Sequence, residues 1–234
     1  MKEHFDNKYY DDINHDKENN YFTPIIKHLI ASKNYKKVCD VGCGNGIFTS
    51  SIKKYTDIHL AGVDANKYAL NLASNLNFDE LKLVKDFSKD ILPFTNNEFD
   101  LVICKDVLEH LVDPVFLVNE IYRITSKGGY FLMHVPNHFP IWGRLKFFFT
   151  NNIDTFNFFP DSERYDFPHI RFFTHKSALK MLESNGFKIV EDLSYFFAQP
   201  PFVHRFFSLK MMKVINFLST DNFSLGITLL ARKE

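Results

Sequence analysis

Cysteine is scarce in this sequence. The three that occur, Cys39, Cys43 and Cys104, fall at or beside segments that read as strands, lack zinc-ligand spacing and cannot all pair with one another. A disulfide framework is therefore excluded, and small core packing in a reducing compartment is the expected role. Net charge is missing as well, because 28 Lys plus Arg balance 28 Asp plus Glu. With a pI of about 7.1 there is no basic footprint for nucleic acid, and a polyanionic substrate is disfavoured. Long apolar runs are also absent: none approaches the roughly 18 residues of a membrane-crossing helix. The first residues are polar and acidic, without a secretory apolar region. A soluble cytoplasmic protein is expected. Phenylalanine, by contrast, is abundant at 27 residues. Asn and Lys are abundant with it, as an A/T-rich coding sequence would produce, so Phe content alone assigns no function.

What is present is organised around Lys37 to Gly46, KVCDVGCGNG, an apolar run that ends in an acid and then in glycines at every second position. Gly42, Gly44 and Gly46 let the backbone take positive φ and approach a ligand closely. The run reads as strand, tight loop and then a helix carrying Ile47, Phe48, Ile52 and Tyr55 at helical spacing, the context of a nucleotide-like ligand. A dinucleotide fingerprint would place its third glycine three residues after the second, where Ile47 stands here. Asp40 puts a negative charge where a pyrophosphate would lie, which suits a cationic ligand. S-adenosylmethionine carries a sulfonium and an ammonium, and the D-x-G-x-G-x-G run resembles motif I of the class I methyltransferases.

A length of 234 residues with 45% hydrophobic content fits one domain with a full core. Residues 1–21 lack periodicity and read as an arm or lid. Thr23-Pro24 opens a helix with Ile25, Ile26, Leu29 and Ile30 inward. His59 to Asp64 is the second strand, ending in an acid 18 residues beyond Gly46. That spacing makes Asp64 a ribose ligand, with Ala65 beside it, the alternative being a cap for the helix beginning at Asn66. Leu81 to Lys85 is the third strand, and Asp86-Phe87 after it are placed to take an adenine amino group and stack on its ring. Asp90 stays open as the alternative acid.

Phe99 to Cys104 is strand four, followed at the carboxyl end of the sheet by Lys105, which joins the cofactor-binding set. Asp113-Pro114 opens a helix that Lys127-Gly128-Gly129 ends, and Gly129 to Val135 is strand five. Residues 138–168 and 198–222 are substrate-side insertions. Thr174 caps a further helix, and Phe187 to Phe197 and Ser224 to Ala231 are the last strands. Within residues 201–218, Arg205, Lys210 and Lys213 interrupt an apolar face at helical spacing. Packing on the domain is the preferred reading, and peripheral membrane contact the other.

The resulting fold class is α/β: a doubly wound, seven-stranded, mostly parallel sheet with a terminal antiparallel strand. The resemblance to class I methyltransferases covers roughly residues 22 to 233. It rests on motif I, the acid ending strand two, the Leu-Pro-Phe and Phe-Asp pair and the Gly-Gly before strand five. It implies S-adenosylmethionine as cofactor and an amino-terminal segment folding over it. The segments VPNHFPIWGRLKFFF and HIRFFTHKSALKMLESNGF look like those of methyltransferases associated with bacterial polysaccharide and sugar modification, implying a small-molecule hydroxyl acceptor. The layout also resembles the methionine-biosynthesis methyltransferase-like proteins, which implies, alternatively, a partner protein of an acyltransferase. A homodimer is compatible with either.

Asp106, Glu109 and His110 form D-x-x-E-H just after strand four, with Asp106 and His110 at i and i+4. The pattern resembles the E-x-x-E-H of ubiquinone-biosynthesis O-methyltransferases and small-RNA 2′-O-methyltransferases, where a divalent ion holds the acceptor oxygens. Asp for Glu is one methylene shorter. His169, in HIRFFT and 59 residues after His110, matches a further His of the RNA enzymes. Three roles stay open: ligands for Mg²⁺ or Mn²⁺, a general base in His110, or a capping and salt-bridging turn.

Overall fold

The computed structural model describes residues 15–150, 169–197, 214 and 220–234. Strands β1 (Lys37–Val41), β2 (His59–Asp64), β3 (Glu80–Leu83), β4 (Phe99–Lys105), β5 (Thr125–Pro136), β6 (Phe187–Asp192) and β7 (Gly226–Lys233) form one sheet in the order β3-β2-β1-β4-β5-β7-β6. The first five pair in parallel, and β7 runs antiparallel between β5 and β6. The order reverses between β1 and β4, so the crevice of this open sheet lies at their carboxyl ends.

Alternation along the strands divides the core in two. Cys39, Val41, Ala61, Val63, Val102, Cys104, Phe131 and Met133 pack with Leu117, Val118, Ile121 and Ile124 of helix α4 (Pro114–Ile124). Val38, Leu60, Leu101, Ile103 and Leu132 pack with Phe22, Ile25, Ile26 and Leu29 of helix α1 (His15–Ser32). A sheet buried on both faces in this way carries near-continuous apolar strands. All three cysteines are buried free thiols in those layers or at the loop that follows, the packing role expected of them.

Several boundaries differ from the expectation. Helix α1 begins at His15 and runs through Pro24, so residues 15–21 belong to a helix and not to an arm; residues 1–14 lie outside the described residues. The missing Pro24 N–H is tolerated because Phe22, Ile25, Ile26 and Leu29 are buried around it. Lys127-Gly128-Gly129 does not end a helix. Helix α4 stops at Ile124, where the Thr125 hydroxyl donates to the Ile121 carbonyl at 2.6 Å, and the glycines lie within β5. Register there jumps from Phe99↔Thr125 to Leu101↔Tyr130, a bulge in which Gly128 has φ 75°. Strand β3 ends two residues earlier than Lys85. Strand β6 ends at Asp192 because its carboxylate accepts the Ser194 N–H at 2.9 Å, turning the chain into a short 3₁₀ segment, Ser194–Phe197. Ser224 precedes β7 as a hydrogen-bonding hub on Ser194 and Gly226.

Candidate active site

The glycine loop leaves β1 and enters helix α2 (Ile47–Ser50), with Gly42, Gly44 and Gly46 at φ 78°, 52° and 77°. A Cβ on Gly42 would collide with Val107, and one on Gly46 would lie 2.5 Å from the Phe78 ring. Positive φ and crowding together explain why glycine stands at these two positions. Gly42 and Cys43 donate to the Val63 carbonyl at 2.8 and 3.1 Å, lashing the loop to β2. The Cys43 thiol is buried and points along the loop to the Gly44 carbonyl, so Cys43 contributes backbone to the site.

Asp64 ends β2 and grips that loop. Its carboxylate accepts the Gly44 N–H at 2.7 Å and the Asn66 N–H at 2.8 Å, and burial raises its pKa against the pull of these amides and that of Ala65. The alternative cap role falls to Asn66, whose side chain accepts from Tyr68 and Ala69 at the start of helix α3 (Lys67–Ala73). Asp40 lies deeper. It is 2% exposed and accepts from the Thr49 hydroxyl, so its charge acts from inside the loop rather than across open solvent. Burial, reinforced by the nearby Asp64 charge, pushes its pKa up to about 7.

Beyond β3, Asp86 accepts the Ser88 N–H at 2.9 Å and pairs with Lys89 at 3.2 Å. Burial raises its pKa, but the Ser88 amide and Lys89 outweigh that and hold it low. Asp90 accepts the Asp86 N–H at 3.0 Å and so closes the turn that presents Asp86. Phe87 is buried in the core layer beside Val84, Leu92 and Phe94.

After β4, Asp106 adopts the left-handed region at φ 54°, and Leu108–His110 is one 3₁₀ turn. The expected i, i+4 alignment on an α-helix is therefore absent. Asp106 pairs with Lys105 at 2.5 Å and approaches His134 Nε2 at 3.5 Å. Lys105 in turn lies 5.0 Å above the Phe22 ring. Glu109, His110 and His169 do converge: one ligand atom from each lies within 4.8 Å of the others. Glu109 is wholly buried and neither carboxyl oxygen has a hydrogen-bond partner among the described residues. Burial, and then the Asp106 charge, hold its pKa well above the usual range. Its backbone carbonyl accepts from Ile170 and Arg171 at 2.9 and 3.0 Å, which docks the segment carrying His169.

His138, at the first residue of the expected insertion, was not singled out in the sequence, yet it supports this cluster. The Phe173 N–H donates to its Nδ1 at 3.1 Å, and its Nε2 lies 2.9 Å from His169 Nδ1. The two rings thus share one hydrogen bond, which ties His138 to the cluster. Burial lowers both pKa values to about 4, so both rings are neutral at pH 7. The only sequence signal was a histidine straight after a strand end.

The family description "Methyltransferase domain" matches residues 39–133, the stretch from the glycine loop through β5. That stretch is a methyltransferase domain, about two fifths of the chain, and it sits in a fold of the class I S-adenosylmethionine-dependent methyltransferase type. It is 34% identical over 112 residues to sterol 24-C-methyltransferase ERG6A of Gibberella zeae, covering 45% of this chain and 29% of that one. A ubiquinone biosynthesis O-methyltransferase of Psychrobacter cryohalolentis is 30% identical over 110 residues, 45% of this chain and 42% of its own. Among these curated relatives the match spans well under two thirds of their length. The methyltransferase fold extends further than the sequence match: a chain of the Haloferax volcanii complex between the Trm112 activator and a methyltransferase superposes with TM-score 0.64, at 17% identity, over 97% of this chain and 96% of that one.

Proposed function

We propose that the chain transfers the methyl group of S-adenosylmethionine to a hydroxyl of a small polar acceptor, such as a sugar. The observation that carries this is the shared end of the sheet: the glycine loop follows β1, Asp64 ends β2, and Glu109 and His110 follow β4, where His169 is docked beside them. Asp64 takes the ribose hydroxyls and Asp86 the adenine amino group, while Asp40 offsets the cationic methionine end, with Gly42, Cys43, Gly44, Ala65 and Lys105 lining the cofactor. The sulfonium is already activated, so positioning supplies much of the rate. As the acceptor oxygen attacks, the S–CH₃ bond breaks, an O–CH₃ bond forms and the hydroxyl proton passes to His110.

Glu109, His110 and His169 also fit Mg²⁺ or Mn²⁺, on the evidence of the orphaned buried carboxyl between two imidazoles. Such an ion would polarise the acceptor oxygen. Asp106, engaged by Lys105 and His134, stands outside that set. An acyltransferase-partner role would need no such cluster. A methyl-transfer screen over nucleotide sugars and quinone precursors tests the proposal; transfer to RNA or protein alone contradicts it.

A further inference from the structure

Helix α5 (Ile141–Thr150) has no buried residue, although its sequence is IWGRLKFFFT. Phe148 and Phe149 are each 77% exposed, and Trp142, Leu145 and Phe147 are also exposed. Such apolar surface on an ordinary soluble face is costly and marks an interaction site. The patch does not stop at the helix. Phe139 and Phe172, both exposed, pair edge to face at 6.3 Å, and Phe172 lies 5.1 Å from the His138 ring. Exposed aromatics therefore run from α5 to the histidine that contacts His169.

Charge selects the occupant. No Asp or Glu occurs between Glu120 and Asp154, nor between Asp166 and Glu183, in a chain whose overall charge is zero. Among the described residues, the charged side chains of α5 and of the segments holding Phe139 and Phe172 are Arg144, Lys146 and Arg171, and the short helix Thr220–Phe223, which carries Asp221, packs beside α5. Arg144 braces it through the Phe139 carbonyl at 2.9 Å, and Arg171 through the carbonyls of Leu111 and Val112. Aromatic rings with Lys and Arg at their rim suit the boundary of an anionic bilayer, where rings enter the headgroup layer and long basic side chains reach phosphates. A second copy of this chain fits poorly, because a two-fold contact would bring like charges together.

We propose that the face formed by α5, Phe139 and Phe172 docks on an anionic lipid surface. The corollary, which rests on the methyl-transfer reading, is that the acceptor hydroxyl belongs to a polar group carried on a membrane lipid. No helix among the described residues is long and apolar enough to cross a bilayer, so the contact is interfacial.

The test is flotation of the full chain with vesicles of phosphatidylcholine alone and of phosphatidylcholine with an equal part of phosphatidylglycerol. Binding is expected only to the anionic vesicles, and it should weaken with added salt. The double variant Phe148→Ser/Phe149→Ser, and separately Lys146→Glu, should each lower it by about tenfold or more. Both variants alter exposed groups, so unchanged circular dichroism and S-adenosylmethionine affinity are expected. No flotation of the parent chain overturns the proposal, as does flotation that survives the double variant. Concentration-dependent dimers abolished by that variant would assign the face to a second copy and equally overturn it. Flotation without S-adenosylmethionine binding would instead refute the methyl-transfer reading and leave the lipid surface standing.

Discussion

On the proposed reading, Asp40 couples the charge of the bound cofactor to the stability of the empty fold. Its pKa rises to about 7 on burial, so the stability it contributes is fully present below the ordinary carboxylate value near 4 and is lost as pH rises through 7. Asp40→Asn should accordingly raise the melting temperature at pH 8 and change it little at pH 4. The same variant should weaken S-adenosylmethionine binding and flatten its increase between pH 6 and 8, because a cationic ligand favours the ionised acid. Melting curves and calorimetry at both pH values check this; equal melting temperatures of parent and variant at pH 8 would contradict it. His110 is the other residue with a sharp expectation. His110→Ala should lower turnover by about a hundredfold or more with cofactor affinity nearly intact. Full activity in that variant would remove His110 from the chemistry. Parent activity surviving exhaustive chelation would retain the base and dismiss the ion.

Elements were legible where periodicity was strong and misjudged where one residue broke a local rule. Asp113-Pro114 and the stripe Leu117, Val118, Ile121 and Ile124 define α4 in sequence and in structure alike. Thr23-Pro24 gave a false start, because proline suits a first turn but is also accepted inside a helix whose neighbours are buried. Pro24→Ala should therefore stabilise the protein by about 1–3 kcal/mol, read as a shifted denaturation midpoint with unchanged slope. A destabilised variant would mean that the proline ring itself is needed for packing. The Gly128-Gly129 pair was misassigned for a similar reason: glycine marks positive φ, and a helix end and a strand bulge use it equally.

At the scale of the whole molecule, the sheet and the conformation of the glycine loop were readable because spacing carries them: glycines at every second residue, and an acid at the end of the next strand. The acceptor side was only half readable. Glu109 and His169 are 60 residues apart, and their meeting depends on the Glu109 carbonyl docking Ile170 and Arg171, a contact that sequence distance conceals. The left-handed turn at Asp106 withdrew the residue that spacing had aligned with His110. His138 had no motif at all and is recognised by its bond to His169.

The central claim is that the loop from Gly42 to Gly46 and Asp64 form one S-adenosylmethionine pocket, and the most direct measurement is calorimetric titration of that cofactor into the parent chain and into Asp64→Ala. Micromolar affinity is expected for the parent. Loss of two charge-assisted hydrogen bonds to the ribose should cost the variant about 3 kcal/mol, a weakening of roughly a hundredfold. No heat of binding in the parent, or equal affinity in the two proteins, would contradict the account.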